Sequence, residues 1–170
     1  MNHPELHRLR IGHGFDVHRF AEEFDPAKPL ILAGVELPIP RSLLAHSDGD
    51  LLLHALADAV LGAAGAGDIG QLFPDTDPGN AGISSELILK AALDKAAGQG
   101  LAPINIDLTV IAQVPKLSPH AAALRGSLAR LTGLPLERVN LKATTTERMG
   151  YLGREEGMAC HAVVLFGPDA

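Results

Sequence analysis

The chain has 170 residues, 46% hydrophobic and 20% charged, which suits one folded domain (residues 10–170) behind a short N-terminal tail (1–9). A net charge of −6 argues against a general nucleic-acid or anionic-membrane surface, and it means that a phosphorylated ligand would be met by metal ions, amides and hydroxyls more than by a lysine cluster. With no Trp and one Tyr, the chain has no aromatic platform for single-stranded nucleic acid.

The first residues are polar and contain His and Arg, without an apolar signal region, and no stretch reaches membrane-spanning length. Cys160 is the only cysteine and sits in an apolar run, so it reads as a small buried hydrophobe. Together these features predict a cytoplasmic protein. Leu9 to Phe20 reads as a strand, Glu22 to Pro29 as a charged, proline-containing loop, and Leu30 to Pro38 as a hairpin turning at Gly34. A helix is predicted from Asp48, capped by Ser47 with Asp50 in capping-box position, and ending in the glycines between Gly62 and Gly70. Ser84 caps a second helix that runs to about Ala97. Ile104 to Ala112 alternates as a strand, Ser118-Pro119 opens a third helix ending near Gly133, and Val139–Ala143 and Met158–Phe166 are the last strands. Without strict strand–helix alternation, the natural packing is α+β, with helices on one face of a mixed four-stranded sheet.

Asp16-Val17-His18, joined by His54, is the most informative constellation. Two residues apart on a strand, Asp16 and His18 point to one face. His54 lies on a helical stripe with Asp50 and Asp58. One carboxylate and two imidazoles make the donor set of a catalytic zinc with its fourth position open. Eight histidines in a chain of this length also generate such spacings by chance. Lys142-Ala-Thr-Thr-Thr-Glu147 places three hydroxyls at a strand end, suited to phosphate oxygens, and the carboxylate behind them makes sense if a divalent cation bridges it to a diphosphate; a plain strand end is the competing reading. His46 has no structural duty and can face a ligand. Gly65 to Gly70 spells GxGxxG but follows a helix, the wrong context for a dinucleotide fold, so these glycines are expected to end that helix.

These segments, in this order, closely resemble the 2-C-methyl-D-erythritol 2,4-cyclodiphosphate synthase family of the non-mevalonate isoprenoid pathway. The matching strings are Arg10-Ile-Gly-His-Gly-Phe-Asp-Val-His18, Leu44-Ala-His-Ser-Asp-Gly-Asp50, Gly67-Asp-Ile-Gly70, Leu72-Phe-Pro-Asp-Thr-Asp77 and Lys142-Ala-Thr-Thr-Thr-Glu147, continued by Gly153-Arg154 and Glu156-Gly157. The resemblance runs from about Arg10 to Phe166. It implies a homotrimer with active sites between neighbouring subunits and three sheets lining a central core. It also implies a metal-dependent cyclisation, in which the 2-phosphate of 4-diphosphocytidyl-methylerythritol 2-phosphate attacks its own β-phosphorus and CMP leaves. The nucleophile is then part of the substrate, so positioning and charge neutralisation are what remain for the protein.

Residue by residue, the resemblance makes Asp16, His18 and His54 zinc ligands and Glu147 the ligand of Mg²⁺ or Mn²⁺. His46 and Thr145 match positions of transition-state stabilisation, with Val17 and Ser47 beside the substrate. Asp68, Ile69 and Gly70, with Phe73, Pro74, Asp75, Thr76 and Asp77, match loops around the methylerythritol part. Ala112, Pro115, Lys116, Leu117 and Ser118 match the cytidine pocket together with Thr144, Thr145 and Thr146; Tyr151 is added as a further substrate contact. Phe15, Arg154 and Glu156 match a central cavity that in some members binds an isoprenoid diphosphate. Two departures stand out: a longer Glu22–Lys28 loop, and Glu155, whose charge opposes an anion in that cavity. Helical spacing makes Asp58 the candidate to orient His54. Two other classes stay open at this point, a zinc phosphohydrolase and a non-catalytic metal-bound oligomer that senses isoprenoid diphosphates.

Overall fold

The computed structural model describes residues 7–74, 76–80 and 82–169. Its sheet has the order β1-β6-β4-β5, built from β1 (Arg10–Arg19), β4 (Leu101–Ile111), β5 (Val139–Thr144) and β6 (Gly157–Pro168). β6 runs antiparallel to both neighbours, β1 and β4, while β4 and β5 are parallel. A parallel pair needs a crossover, and α4 (Ala121–Thr132) supplies it. A two-stranded hairpin, β2 (Ile31–Leu32) and β3 (Val35–Glu36), stands apart from the main sheet. The expected α+β architecture and its mixed four-stranded sheet are therefore present.

Helices α1 (Leu51–Ala64), α3 (Ser85–Ala97) and α4 cover one face. Along β1 the alternation is sharp: Gly12 and Gly14 are buried, whereas Ile11, Phe15 and Val17 are exposed on the other side. A Cβ at Gly12 would lie 1.8 Å from the Ala59 carbonyl oxygen, and one at Gly14 would lie 1.9 Å from that of Ala55. The α1 backbone thus rests directly on the β1 backbone, an approach only glycine permits. Because Ala59 meets Gly12 and Ala55 meets Gly14, the helix runs antiparallel to the strand. Its first turn arrives beside Asp16 and His18.

The helix begins at Leu51, later than its sequence suggests, with Asp50 as N-cap accepting from the Leu53 amide. Gly49 has φ +77°, a left-handed conformation that breaks helix continuity upstream, so Ser47 is freed from capping. At the other end Gly65, in the left-handed region, donates to Gly62, and Ala66 donates to Leu61: a Schellman closure, as the GxGxxG context implied. Short helix α2 (Ile69–Leu72) follows at once. Among the described residues no helix is long and apolar enough to cross a membrane.

Candidate metal centre and cleft

β1 delivers Asp16 and His18, and α1 delivers His54, to one point. Asp16 Oδ1 accepts the Val17 amide at 2.9 Å, which leaves Oδ2 facing both imidazoles. From that oxygen His18 Nδ1 is 3.3 Å away and His54 Nδ1 is 3.2 Å away. Ligands at 2.0–2.1 Å from a tetrahedral zinc are separated by about 3.3 Å, so these two edges already match such an ion. The three donor atoms lie within 4.8 Å of one another, and among the described residues this is the only cluster of three or more His, Cys, Asp or Glu so arranged. His18 Nε2 is buried without a hydrogen-bond partner among the described residues, so none of them fixes that ring as a donor or acceptor and it is free to serve as a ligand. The donor set fits a divalent metal.

Electrostatics support that fit. Burial pushes the His54 pKa down, but the hydrogen bond that its Nδ1–H donates to Asp16 and the charges of Asp16, Asp50 and Asp48 outweigh it and leave the imidazole above its ordinary value. The site is thus a basin of negative potential. Asp58 does not orient His54. Side chains lean toward a helix N-terminus, so the His54 ring covers the turn before it, away from Asp58. Asp58 instead accepts the Ile69 amide at 2.8 Å, and burial raises its pKa against that bond.

The cluster forms one wall of a cleft of about 380 Å³, a size suited to a small ligand. Of the residues anticipated for substrate, the cleft gathers Val17, His46, Ser47, Ile69, Gly70, Phe73 and Asp77 around the metal ligands. It also contains Leu44, known beforehand only as the start of a matching string, and Asn80, Ile83 and Ile88, which carried no signal beyond ordinary loop and core chemistry. Asp68 caps α2 through the Gln71 amide at 2.9 Å. Pro74 and Thr76 border the same loop outside the cleft lining, and Asp75 lies outside the described residues.

A second group assembles elsewhere. Thr144 closes β5 at the far edge of the sheet, in register with Ile111, Ala159 and, on β1, Val17. It stands level with the Asp16/His18 pair but three strand spacings away, about 14 Å. Beyond it, Thr145 Oγ1 donates to Glu147 Oε1 at 3.0 Å, and Glu147 and Arg148 both adopt positive φ (52° and 64°). Such backbone in non-glycine residues is uncommon and tends to mark functional loops. Ala112, Pro115, Lys116, Leu117 and Ser118 follow β4 on this side, whereas Tyr151 lies within α5 (Gly150–Gly153). Within one chain this group does not line the cleft. Phe15 lies on the open sheet face against His161, Arg154 Nε pairs with Glu156 at 2.7 Å, and Glu155 turns to Arg41 at 3.4 Å.

The sequence profile of the YgbB family matches residues 9–167. The chain belongs to the YgbB family. Within it, the 2-C-methyl-D-erythritol 2,4-cyclodiphosphate synthase of Erwinia tasmaniensis is 54% identical over 157 residues, covering 92% of the chain and 98% of that relative. A CDP-bound structure of a synthase of the same name superposes with a TM-score of 0.83 at 43% identity, covering 92% of the chain and 99% of that structure. The CDP complex of IspF from Plasmodium falciparum gives 0.82 at 32% identity, covering 95% and 97%. Family members are thus similar in both sequence and fold across nearly the full length of the chain.

Proposed function

We propose that this YgbB-family chain is a lyase that closes the 2,4-cyclic diphosphate of methylerythritol, acting on 4-diphosphocytidyl-2-C-methyl-D-erythritol 2-phosphate and releasing CMP. One observation carries the reading: Asp16, His18 and His54 converge at a ligand-sized cleft in a chain 54% identical to a synthase of that name. A 2-phosphate oxygen forms a bond to the β-phosphorus, the bond from that phosphorus to the α,β-bridging oxygen breaks, and CMP leaves with that oxygen.

Asp16, His18 and His54 would hold zinc, and Glu147 would hold Mg²⁺ or Mn²⁺ beside the diphosphate. Bound cations supply charge neutralisation at the phosphate oxygens. The protein needs no nucleophile of its own, and Cys160 is no candidate: it is fully buried, and burial drives its thiol pKa far up. His46 stands exposed at the cleft, where its imidazole can approach the reacting phosphates. Thr145 is held by Glu147 and presents its hydroxyl from the second group. The two groups lie on opposite sheet edges, which supports a homotrimer whose active sites each combine the metal wall of one subunit with the threonine loop and cytidine pocket of its neighbour. Phe15, Arg154 and Glu156 would then line a central cavity, where the Arg154–Glu156 pair already neutralises the cation that an isoprenoid diphosphate would need.

Phosphorus NMR on the purified protein with that substrate, zinc and Mg²⁺ tests the reading. CMP and a cyclic diphosphate are expected in equal amounts. Inorganic phosphate would replace the proposal with a hydrolase, and an unchanged spectrum would leave only a metal-binding protein.

A further inference from the structure

We infer that Ser85, clamped by Asp48, is a positioning residue that sets which nitrogen of His54 is available to the metal; the inference rests on the metal reading of the Asp16/His18/His54 cluster. Ser85 is fully buried at the first position of α3. It has no capping duty there, since Ser84 is the N-cap and accepts the Glu86 amide. Its hydroxyl instead lies 2.8 Å from His54 Nε2, with Ser47 Oγ at 3.1 Å from the same nitrogen.

The direction of these bonds follows from donor counting. The Asp48 carboxylate accepts the Ser85 amide at Oδ2 (2.9 Å) and the Asp50 amide at Oδ1 (3.2 Å), and Oδ1 is also in hydrogen-bond contact with Ser85 Oγ. A carboxylate can only accept, so the Ser85 O–H donates to Asp48. The Ser85 oxygen then offers lone pairs alone to Nε2, and His54 must donate its Nε2–H. When His54 ligates a metal it does so as a neutral imidazole, and the fixed Nε2–H then leaves the lone pair on Nδ1, the nitrogen that otherwise donates to Asp16 Oδ2 at 3.2 Å. Asp48, Ser85 and His54 form a relay of fixed polarity. It originates in a loop and a second helix, and it bolts the start of α3 to the loop that precedes α1.

Zinc affinity, measured on metal-stripped protein by competition with a chromophoric chelator, reads the relay directly, and the visible spectrum of the cobalt(II) form reports ligand geometry. Ser85→Ala should weaken zinc binding about 10–100-fold and shift the cobalt spectrum. Ser85→Thr, which keeps the hydroxyl, should restore both. Asp48→Asn keeps the volume but reverses the polarity: its carbonyl is claimed by the Ser85 amide, its NH₂ faces Ser85 Oγ, and the serine must then donate to Nε2. A loss at least as large is expected there, and this variant carries the test if Ser85→Ala fails to fold. Wild-type affinity and an unchanged cobalt spectrum in both Ser85→Ala and Asp48→Asn would overturn the relay. If the wild type itself binds neither zinc nor cobalt stoichiometrically, the metal reading falls with it.

Discussion

Three backbone amides converge on the Asp50 carboxylate: Ala33 at 2.9 Å, Gly34 at 2.6 Å and Leu53 at 3.1 Å. One side chain thereby caps α1 and holds the two turn residues of the β2–β3 hairpin, both at positive φ. Burial nevertheless dominates and lifts its pKa to about 6, against the three amides and with Asp48 adding repulsion. The folded protein therefore holds this proton more tightly than the unfolded chain does. The contribution of this carboxyl to stability is greatest below the unfolded value of 3.8 and declines as pH rises toward about 6, by about 3 kcal/mol in all. In metal-stripped protein, chemical denaturation across that window should show a decline in the wild type that Asp50→Asn lacks; parallel profiles would refute the assignment. Asp16, His18 and His54 were legible in the sequence because strand and helix periods place donors on known faces. Ser85 and Asp48 were not, since a serine beside a helix cap and an aspartate in a glycine loop each carry an ordinary local explanation. Asp58 misled for a related reason: spacing along a helix says which residues share a stripe but omits the lean of each side chain.

At the scale of elements, the contact between α1 and β1 decides the geometry of the metal centre. Both glycines press on carbonyls of the helix backbone, which cannot rotate aside as a flexible side chain could. Gly14→Ala should destabilise the fold by about 3 kcal/mol or more and weaken zinc binding together, because relief of the clash moves the turn that carries His54 away from Asp16 and His18. Thermal unfolding alongside zinc titration checks this, and a stable variant with unaltered zinc affinity would contradict it. The helices and strands themselves were readable from periodicity and caps, to within a few residues. Their pairing was not. Nothing in β1 announces that its partner is β6, or that β4 pairs in parallel with β5, because a partner is selected by the whole buried face and not by local chemistry.

The whole molecule sets the last constraint, since the metal wall and the Thr145–Glu147 loop occupy opposite edges of one sheet. If active sites form between subunits, His54→Ala and Glu147→Ala should each be inactive alone yet complement when dissociated, mixed and reassembled. About a quarter of wild-type activity is expected in a random trimer, the chance that an intact metal wall meets an intact loop. Mixtures that stay inactive would place the full site within one chain. The sequence carried the two halves as separate motifs, and only the strand register revealed the distance between them.

The order of strands also bears on how the protein comes into being. β6, the last strand in the chain, is an interior strand of the sheet and the shared neighbour of β1 and β4. His13 meets His161, which lies 148 positions further along the chain. As the polypeptide emerges from the ribosome, β1 must wait beside α1 with its hydrogen-bonding edge unpaired until β6 arrives. Premature termination before residue 157 would thus remove the strand paired with the Asp16 and His18 backbone, so the Asp16/His18/His54 cluster is braced only once the last strand is in place.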